Sequence, residues 1–98
     1  MALPAGETTD VPTAGTRVQI DSTPRRCLSI TFKARSGNTG NVYVGTSTVS
    51  SADGFELEPN QGVSYNFGAA GISAIMSDFY VDSATNGNDV DWAAILWP

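Results

Sequence analysis

The sequence predicts an all-β protein, an antiparallel, jelly-roll-like β-sandwich of seven or eight short strands. Apolar and polar residues alternate with a period of two in several short runs, and turn-forming residues separate these runs. No stretch shows the periodicity of a convincing helix. The length of 98 residues suits one domain. We expect an extended N-terminal arm at residues 1–15 and a sandwich domain at residues 16–98.

Residues 1–15 contain two prolines and two glycines, which disfavour both helices and central strands. The segment is interpreted either as a disordered terminus or as an extended arm that orders against a neighbouring subunit or surface. In the second case its candidate docking residues are Leu3, Pro4, Val11 and Pro12.

The clearest strand covers residues 26–35, where apolar and polar residues alternate without interruption. It follows a shorter alternating run at residues 16–21. Cys27 is expected to face outward on this strand, together with Ser29 and Thr31. The expected inward residues are Leu28, Ile30, Phe32 and Ala34.

The turn-rich residues 36–41 predict a β-hairpin between this strand and the next one, at residues 42–45. Asn86 and Gly87 predict a second hairpin turn. The last run, residues 90–97, is apolar on both faces after Asp91, so it is either central in a sheet or covered by another subunit. Further short strands are expected at residues 55–57, 63–67, 72–76 and 78–82.

All five basic residues lie between positions 17 and 35, and the formal net charge is −5. Such a charge opposes binding to nucleic acid, because phosphate repels it. Two interpretations of the basic side chains remain open. Either they pair with acids of neighbouring strands, or Arg25, Lys33 and Arg35 form a basic patch that docks on an acidic partner.

No apolar run approaches the roughly 18 residues that a membrane span needs. No basic segment followed by an apolar segment starts the chain, so we read no signal peptide. We therefore expect that the protein does not insert into a membrane. We also expect that it is made and used without Sec export.

Catalysis is not expected, since the chain has no histidine and one cysteine. These residues cannot build a Ser-His-Asp triad, a Cys-His pair or a zinc site. Two carboxylate pairs are spaced by two residues, but each borders a turn or a strand end where solvation is expected. The pairs are Glu56 with Glu58 and Asp89 with Asp91. No cofactor is predicted.

Oxygen-bearing side chains cluster around the glycine turn at residues 82–91. The spacing does not match an EF-hand loop, which would need ligands where Ala84 and Ala93 stand. A calcium site of another type stays open, and the alternative is that Asn and Asp stabilise a tight turn. The side chains concerned are Asp82, Asn86, Asn88, Asp89 and Asp91.

The two tryptophans have different expected positions. Trp92 is in phase with the apolar residues of the last strand and is assigned to the core, whereas Trp97 has the opposite phase. Ala93, Ile95 and Trp97 are therefore the predicted subunit interface. The alternative is an aromatic platform for sugar stacking, formed by the two tryptophans together with Tyr43, Tyr65 and Tyr80.

Two sequence runs carry a family resemblance: Ser-Gly-Asn-Thr-Gly-Asn-Val-Tyr-Val-Gly at residues 36–45 and Phe-Glu-Leu-Glu-Pro-Asn-Gln-Gly-Val at residues 55–63. Together with the apolar last strand they resemble small β-sandwich virion proteins of tailed bacteriophages, and most of all capsid decoration (cement) proteins. The resemblance covers roughly residues 28–96.

The resemblance implies a non-enzymatic homotrimer that binds the major capsid protein on the outer capsid surface, where capsomers meet, and stabilises the shell. It implies synthesis in the host cytoplasm and an N-terminal arm that reaches adjacent capsid subunits. On this interpretation, deletion of residues 1–15 leaves the trimer folded and abolishes capsid binding. The alternative function is a fibre or tail-tip module that recognises a host-surface glycan.

Overall fold

The computed structural model describes residues 3–97 and consists of two antiparallel β-sheets packed face to face. Two three-residue 3₁₀ helices, Gly68–Ala70 and Met76–Asp78, interrupt the strands. In chain order the strands are β1 (Leu3–Val11), β2 (Val18–Gln19), β3 (Arg26–Ala34), β4 (Val42–Gly45), β5 (Phe55–Leu57), β6 (Gly62–Asn66), β7 (Ala74–Ile75), β8 (Tyr80–Ser83) and β9 (Asn88–Leu96).

Eight of these strands have the order of a jelly roll. One sheet has the order β1-β9-β3-β6, with β7 paired to the start of β3, and the second sheet has the order β2-β8-β4-β5. The chain passes from one sheet to the other at most of its connections. The predicted antiparallel β-sandwich is thus confirmed, with nine strands in the described residues rather than seven or eight.

Both predicted hairpins are wrong. β3 and β4 lie in different sheets, and so do β8 and β9. The connection 35–41 is instead held against β9, where the Asn38 side chain donates to the Asp89 carbonyl oxygen at 2.9 Å. Gly87 does adopt the positive φ of 81° expected for a turn. Turn residues predict that the chain reverses, but in a sandwich the reversed strand can join the facing sheet.

The prediction that residues 1–15 lie outside the sandwich is wrong for residues 3–11. These residues form β1, which pairs with β9 over its whole length in register from Leu3–Leu96 to Val11–Asn88. Proline and glycine are tolerated because β1 is an edge strand, whose outer side needs no hydrogen-bonded partner. The docking role of this segment stays a prediction.

Phe32 lies at the centre of the core and is fully buried. Its ring is 6.3 Å from that of Tyr65 and 5.7 Å from that of Phe79, in the edge-on and tilted geometries that aromatic pairs prefer. The other buried members come from both sheets: Val11, Ile20, Cys27, Ile30, Ala34, Val42, Val44, Leu57, Met76, Val81, Val90, Trp92, Ala94 and Leu96.

The predicted outward position of Cys27 is wrong, because a β-bulge shifts the register of β3 between Cys27 and Ser29. The extra residue reverses the alternation at the start of the strand. Cys27 is therefore fully buried, and Leu28, predicted to be inward, is only half-buried. Burial raises the pKa of the Cys27 thiol, although a hydrogen bond from the Ala74 backbone opposes this shift.

β9 is central, between β1 and β3. Its residues alternate between the core and the outer face. The apolar run at residues 90–97 therefore supplies both buried core side chains and exposed side chains on the outer face. No helix among residues 3–97 is long and apolar enough to cross a membrane.

Candidate functional site

The candidate site lies on the outer face of the five-stranded sheet. Here the side chains of β9 that point away from the core lie between those of β1 and β3. The register places Ala93 between Gly6 and Thr31, and Asp91 between Thr8 and Lys33. The middle of this face therefore carries small side chains, whereas its two ends differ in chemistry.

One end is apolar, and we call it the apolar corner. Trp97 is 54% exposed, Ile72 is 59% exposed and Ile95 is 38% exposed. Half-buried Leu28 completes it. Four large hydrophobic side chains are exposed in the described part of the chain, and three of them belong to this corner. The fourth, Phe55, lies on β5 in the other sheet.

A shallow groove of about 600 Å³ lies in the apolar corner. Leu28, Ile72 and Trp97 supply its apolar lining, and Arg26 and Ser73 supply its polar lining. The Arg26 guanidinium donates to the Ser73 hydroxyl at 3.2 Å, and the Trp97 backbone N–H donates to the Arg26 carbonyl oxygen at 2.9 Å. The groove can hold an apolar group beside a polar one.

Local structure explains how Leu28 and Ile72 come to the surface. The bulge in β3 turns Leu28 toward the outer face. Ile72 follows the 3₁₀ helix Gly68–Ala70, which Gly71 ends in the left-handed conformation at φ 75°. Neither residue was predicted at this surface from the sequence. Neither a bulge nor a 3₁₀ turn leaves a clear signal in an alternating pattern.

The three residues predicted as a subunit interface do share the outer face. Ala93, Ile95 and Trp97 are all exposed, in alternation with buried residues of β9. Trp92 is 4% exposed and belongs to the core, as the pattern predicted. Whether these side chains contact another subunit stays a prediction.

The opposite end of the outer face is charged. The Arg35 guanidinium donates to both carboxylate oxygens of Asp91, at 3.0 and 3.1 Å, and the Thr8 hydroxyl donates to the same carboxylate. Partial burial by itself raises the pKa of Asp91, but the hydrogen bonds from Thr8 and Arg35 outweigh it. The pKa of Asp91 is therefore lowered from its ordinary value.

Asp10 and Asp89 lie directly opposite each other across β1 and β9. Partial burial raises the pKa of Asp89, and the hydrogen bond and negative charge of Asp10 raise it further, against the opposing effect of Arg35. Like charges directly opposite on neighbouring strands are destabilising. This pair is therefore a weak point in the contact between β1 and β9.

The predicted basic patch is divided. Arg25 lies before β3 and forms an ion pair with Asp21 in the loop after β2, whereas Arg35 lies after β3 and pairs with Asp91. The nine residues of β3 separate them by about 30 Å. Only Lys33 and Arg35 are neighbours. These contacts agree with the other interpretation, that basic side chains meet acids of adjacent segments.

The predicted arm residues are dispersed. Pro4 is exposed opposite Ile95, Val11 is fully buried at the end of β1, and Pro12 is exposed in the following connection. The backbone of Leu3 belongs to β1, but its side chain lies outside the described part of the chain, as do residues 1 and 2. Val11 contributes to the core and is unavailable for docking in this fold.

Two of the residues considered for calcium binding, Asp82 and Asn88, make hydrogen bonds that hold the surrounding turns. The buried Asp82 carboxylate accepts hydrogen bonds from the backbone N–H groups of Gly15 and Ser83, at 3.0 and 2.8 Å. The buried Asn88 amide donates to the hydroxyls of Ser83 and Thr85, at 2.9 and 2.7 Å. Within residues 3–97, no three acidic or cysteine side chains come together in a group that could hold a metal ion.

No protein-family model and no curated protein matches the chain. Among solved structures, a protein of the Bacillus endospore appendages, which form disulfide-linked pili, matches with a TM-score of 0.57 at 9% identity. The match covers 97% of this chain and 85% of that one. At this identity the likeness shows the fold alone.

The IMPa metallopeptidase from Pseudomonas aeruginosa, in complex with an O-glycopeptide, matches with a TM-score of 0.54 at 14% identity. The match covers 96% of this chain but 12% of that one, so the chain spans a small part of the peptidase. The likeness again shows a β-sandwich and says nothing about activity.

Proposed function

We propose that this protein is a non-enzymatic decoration (cement) protein of a bacteriophage virion, which binds the outer capsid surface as a homotrimer and stabilises the shell. The observation that carries the proposal is the apolar corner. Three large hydrophobic side chains are exposed at this corner: Ile95 on β9, Trp97 just after it, and Ile72 in the connection before β7. Soluble monomers rarely expose contiguous apolar patches of this kind, and protein–protein contacts use them.

The composition of the apolar corner fits an interface between subunits. Exposed Trp97 and Ile72 line its groove, and the polar side chains of Arg26 and Ser73 border them. Tryptophan and arginine are enriched among the residues that dominate binding energy, and apolar centres with polar rims are typical of interfaces. We therefore assign the apolar corner to self-association within the trimer.

Three further features support a structural role. The net charge of −5 favours solubility at the high local density of a decorated shell. Residues 36–45 and 55–63 resemble segments of phage virion proteins, and this resemblance implies the major capsid protein as the binding partner. The appendage protein whose fold the chain shares forms pili, so a sandwich of this kind serves as an assembly subunit there.

Deletion of residues 1–15 is a poor test of capsid docking, because it removes β1 and exposes the edge of β9. Trp97→Ser is a sharper one. At 54% exposure the indole leaves about 130 Å² to bury, which corresponds to about 3 kcal/mol or roughly 100-fold in affinity. Phe55→Ser is the matched control, since Phe55 is 51% exposed on the other sheet.

The assay is co-sedimentation of the purified protein with shells assembled from the major capsid protein of the same phage. We expect wild type and Phe55→Ser to sediment saturably with the shells, and Trp97→Ser to bind more weakly because the trimer dissociates. Failure of the wild-type protein to bind refutes the decoration function.

The second candidate function is recognition of a host-surface glycan. It is favoured by the Trp97 indole beside the polar groups of Arg26 and Ser73, since sugars stack on exposed aromatic rings and accept hydrogen bonds at their edges. Saturable binding to a glycan array that Trp97→Ala abolishes supports this function. Binding to capsid shells without glycan binding excludes it in favour of decoration.

A further inference from the structure

We infer that β1 is an exchangeable strand, whose place on the edge of β9 is taken by the β1 of a second copy when copies meet at the apolar corner. The inference rests on the proposed self-association and goes beyond it by naming the contact. The surface is the edge of β9, and the partner is an identical chain.

β1 is the least embedded of the three nine-residue strands. It pairs with β9 alone, whereas β3 and β9 each have neighbours on both sides. Among its described side chains only Val11 is buried. Even Glu7, which lies opposite the buried Trp92 on the core-facing side, is exposed. Among the described side chains of β1, detachment therefore withdraws only Val11 and the partly buried Ala5 from the hydrophobic core.

The contact between β1 and β9 also contains an unfavourable feature. Asp10 faces Asp89 across the strands, and like charges directly opposite each other are destabilising. This pair lowers the free energy needed to open this contact relative to the rest of the sheet.

A second copy supplies a strand that already fits. Its β1 has the same nine residues, and these pair with β9 in a defined register. Because the contacts re-formed between chains are the same as those lost within the chain, the exchange costs little beyond the rearrangement of the hinge.

The hinge lies between the end of β1 and the connection that follows. That connection is anchored, since the backbone N–H groups of Ala14 and Gly15 donate to Asn86 and Asp82 at 2.8 and 3.0 Å. Pro12 and Thr13 lie between this anchor and Val11, so rotation there moves β1 without disturbing the rest of the sandwich.

The anchored end of β1 decides where the second copy lies. Val11 pairs with Asn88, and only Pro12 and Thr13 separate Val11 from the anchor, so in-register exchange brings the Asn88 end of β9 in the second copy close to this hinge. Pro4 lies opposite Ile95 at the other end of β1. Copies that exchange β1 therefore lie side by side along its whole length, from the hinge to the apolar corner.

Cysteine cross-linking between separate single variants tests the exchange. Asp10→Cys and Asp89→Cys are prepared separately, mixed in equal amounts at high concentration and oxidised. Directly opposite residues have Cα atoms about 4.5–5.5 Å apart, which permits a disulfide. A mixture of Asp10→Cys with Glu58→Cys, whose exposed residue 58 follows β5, reports random collisions. The native Cys27 is buried and does not interfere.

If β1 exchanges, the Asp10→Cys and Asp89→Cys mixture gives roughly tenfold more mixed cross-links than the control mixture, because strand pairing holds the thiols near millimolar effective concentration. Multimers by light scattering together with cross-linking at the control level overturn the exchange and leave the proposed self-association intact. Monomers together with control-level cross-linking overturn both.

Discussion

The pair Asp10 and Asp89 gives a quantitative prediction about the contact between β1 and β9. Asp10→Asn removes one of two like charges that lie directly opposite each other, and keeps the size of the side chain. We expect the variant to be more stable than the wild type at neutral pH.

The expected gain follows from the position of the pair. Like charges opposite each other across two strands cost roughly 0.2–1 kcal/mol, and solvent screening places an exposed pair in the lower part of that range. Asp10 is exposed and Asp89 is half-buried. We therefore expect a gain of about 0.5 kcal/mol, which raises Tm by about 2–4 °C for a domain of this size.

The gain depends on pH in a defined direction. Partial burial and Asp10 raise the pKa of Asp89 in the folded protein above its ordinary value of 3.8. The folded state therefore binds the Asp89 proton more tightly than the unfolded chain, so the contribution of Asp89 to stability increases as the pH falls through the raised pKa toward 3.8. Since the Asp10→Asn substitution removes part of this shift, the advantage of the variant shrinks over the same interval.

Urea unfolding at several pH values between about 4 and 7 measures the difference, and an NMR titration follows Asp89. Glu7→Gln is the matched control, because it removes one negative charge from the same strand at a position opposite Trp92 rather than an acid. An equal gain in Glu7→Gln attributes the effect to net charge, and a pH-independent difference refutes the reasoning from the pair.

Three further predictions concern the core, the thiol and the ion pair. Phe32→Ala removes the fully buried ring at the centre of the core and should cost about 3–5 kcal/mol in urea unfolding; a cost under about 1 kcal/mol contradicts the packing. Cys27 is buried with a raised pKa, so it should react with a thiol reagent only after denaturation, and rapid labelling of the native protein contradicts its position. Arg35→Gln should cost less than about 1 kcal/mol, because the ion pair is exposed, and should raise the pKa of Asp91; an unchanged titration of Asp91 contradicts the contact.

The sandwich could be predicted from the sequence because its main determinant, the alternation of apolar and polar residues along a strand, is local. Alternation in β3 and β9 follows from one face being buried, and this also separated Trp92 from Trp97. Strand pairing is not local. The turn after β3 has the composition of a hairpin turn, but the two flanking strands bury their apolar faces against each other from opposite sheets.

The candidate site was only partly predictable for the same reason. Ile95 and Trp97 share one face of a regular strand, so their phase placed them together. Leu28 reaches the site through a bulge and Ile72 through a 3₁₀ turn, and both depend on packing with other strands. Residues 3–11 were misjudged because Pro4 and Gly6 disfavour a central strand but are compatible with an edge.

The solution mass of the purified protein, measured by size-exclusion chromatography with light scattering, tests the central claim that copies associate through the apolar corner. We predict a trimer, three times the chain mass of 10.3 kDa, for the wild type and for Phe55→Ser, and dissociation of Trp97→Ser to the monomer at the same concentration. A monomeric wild type, or a Trp97→Ser variant that remains trimeric, contradicts the claim.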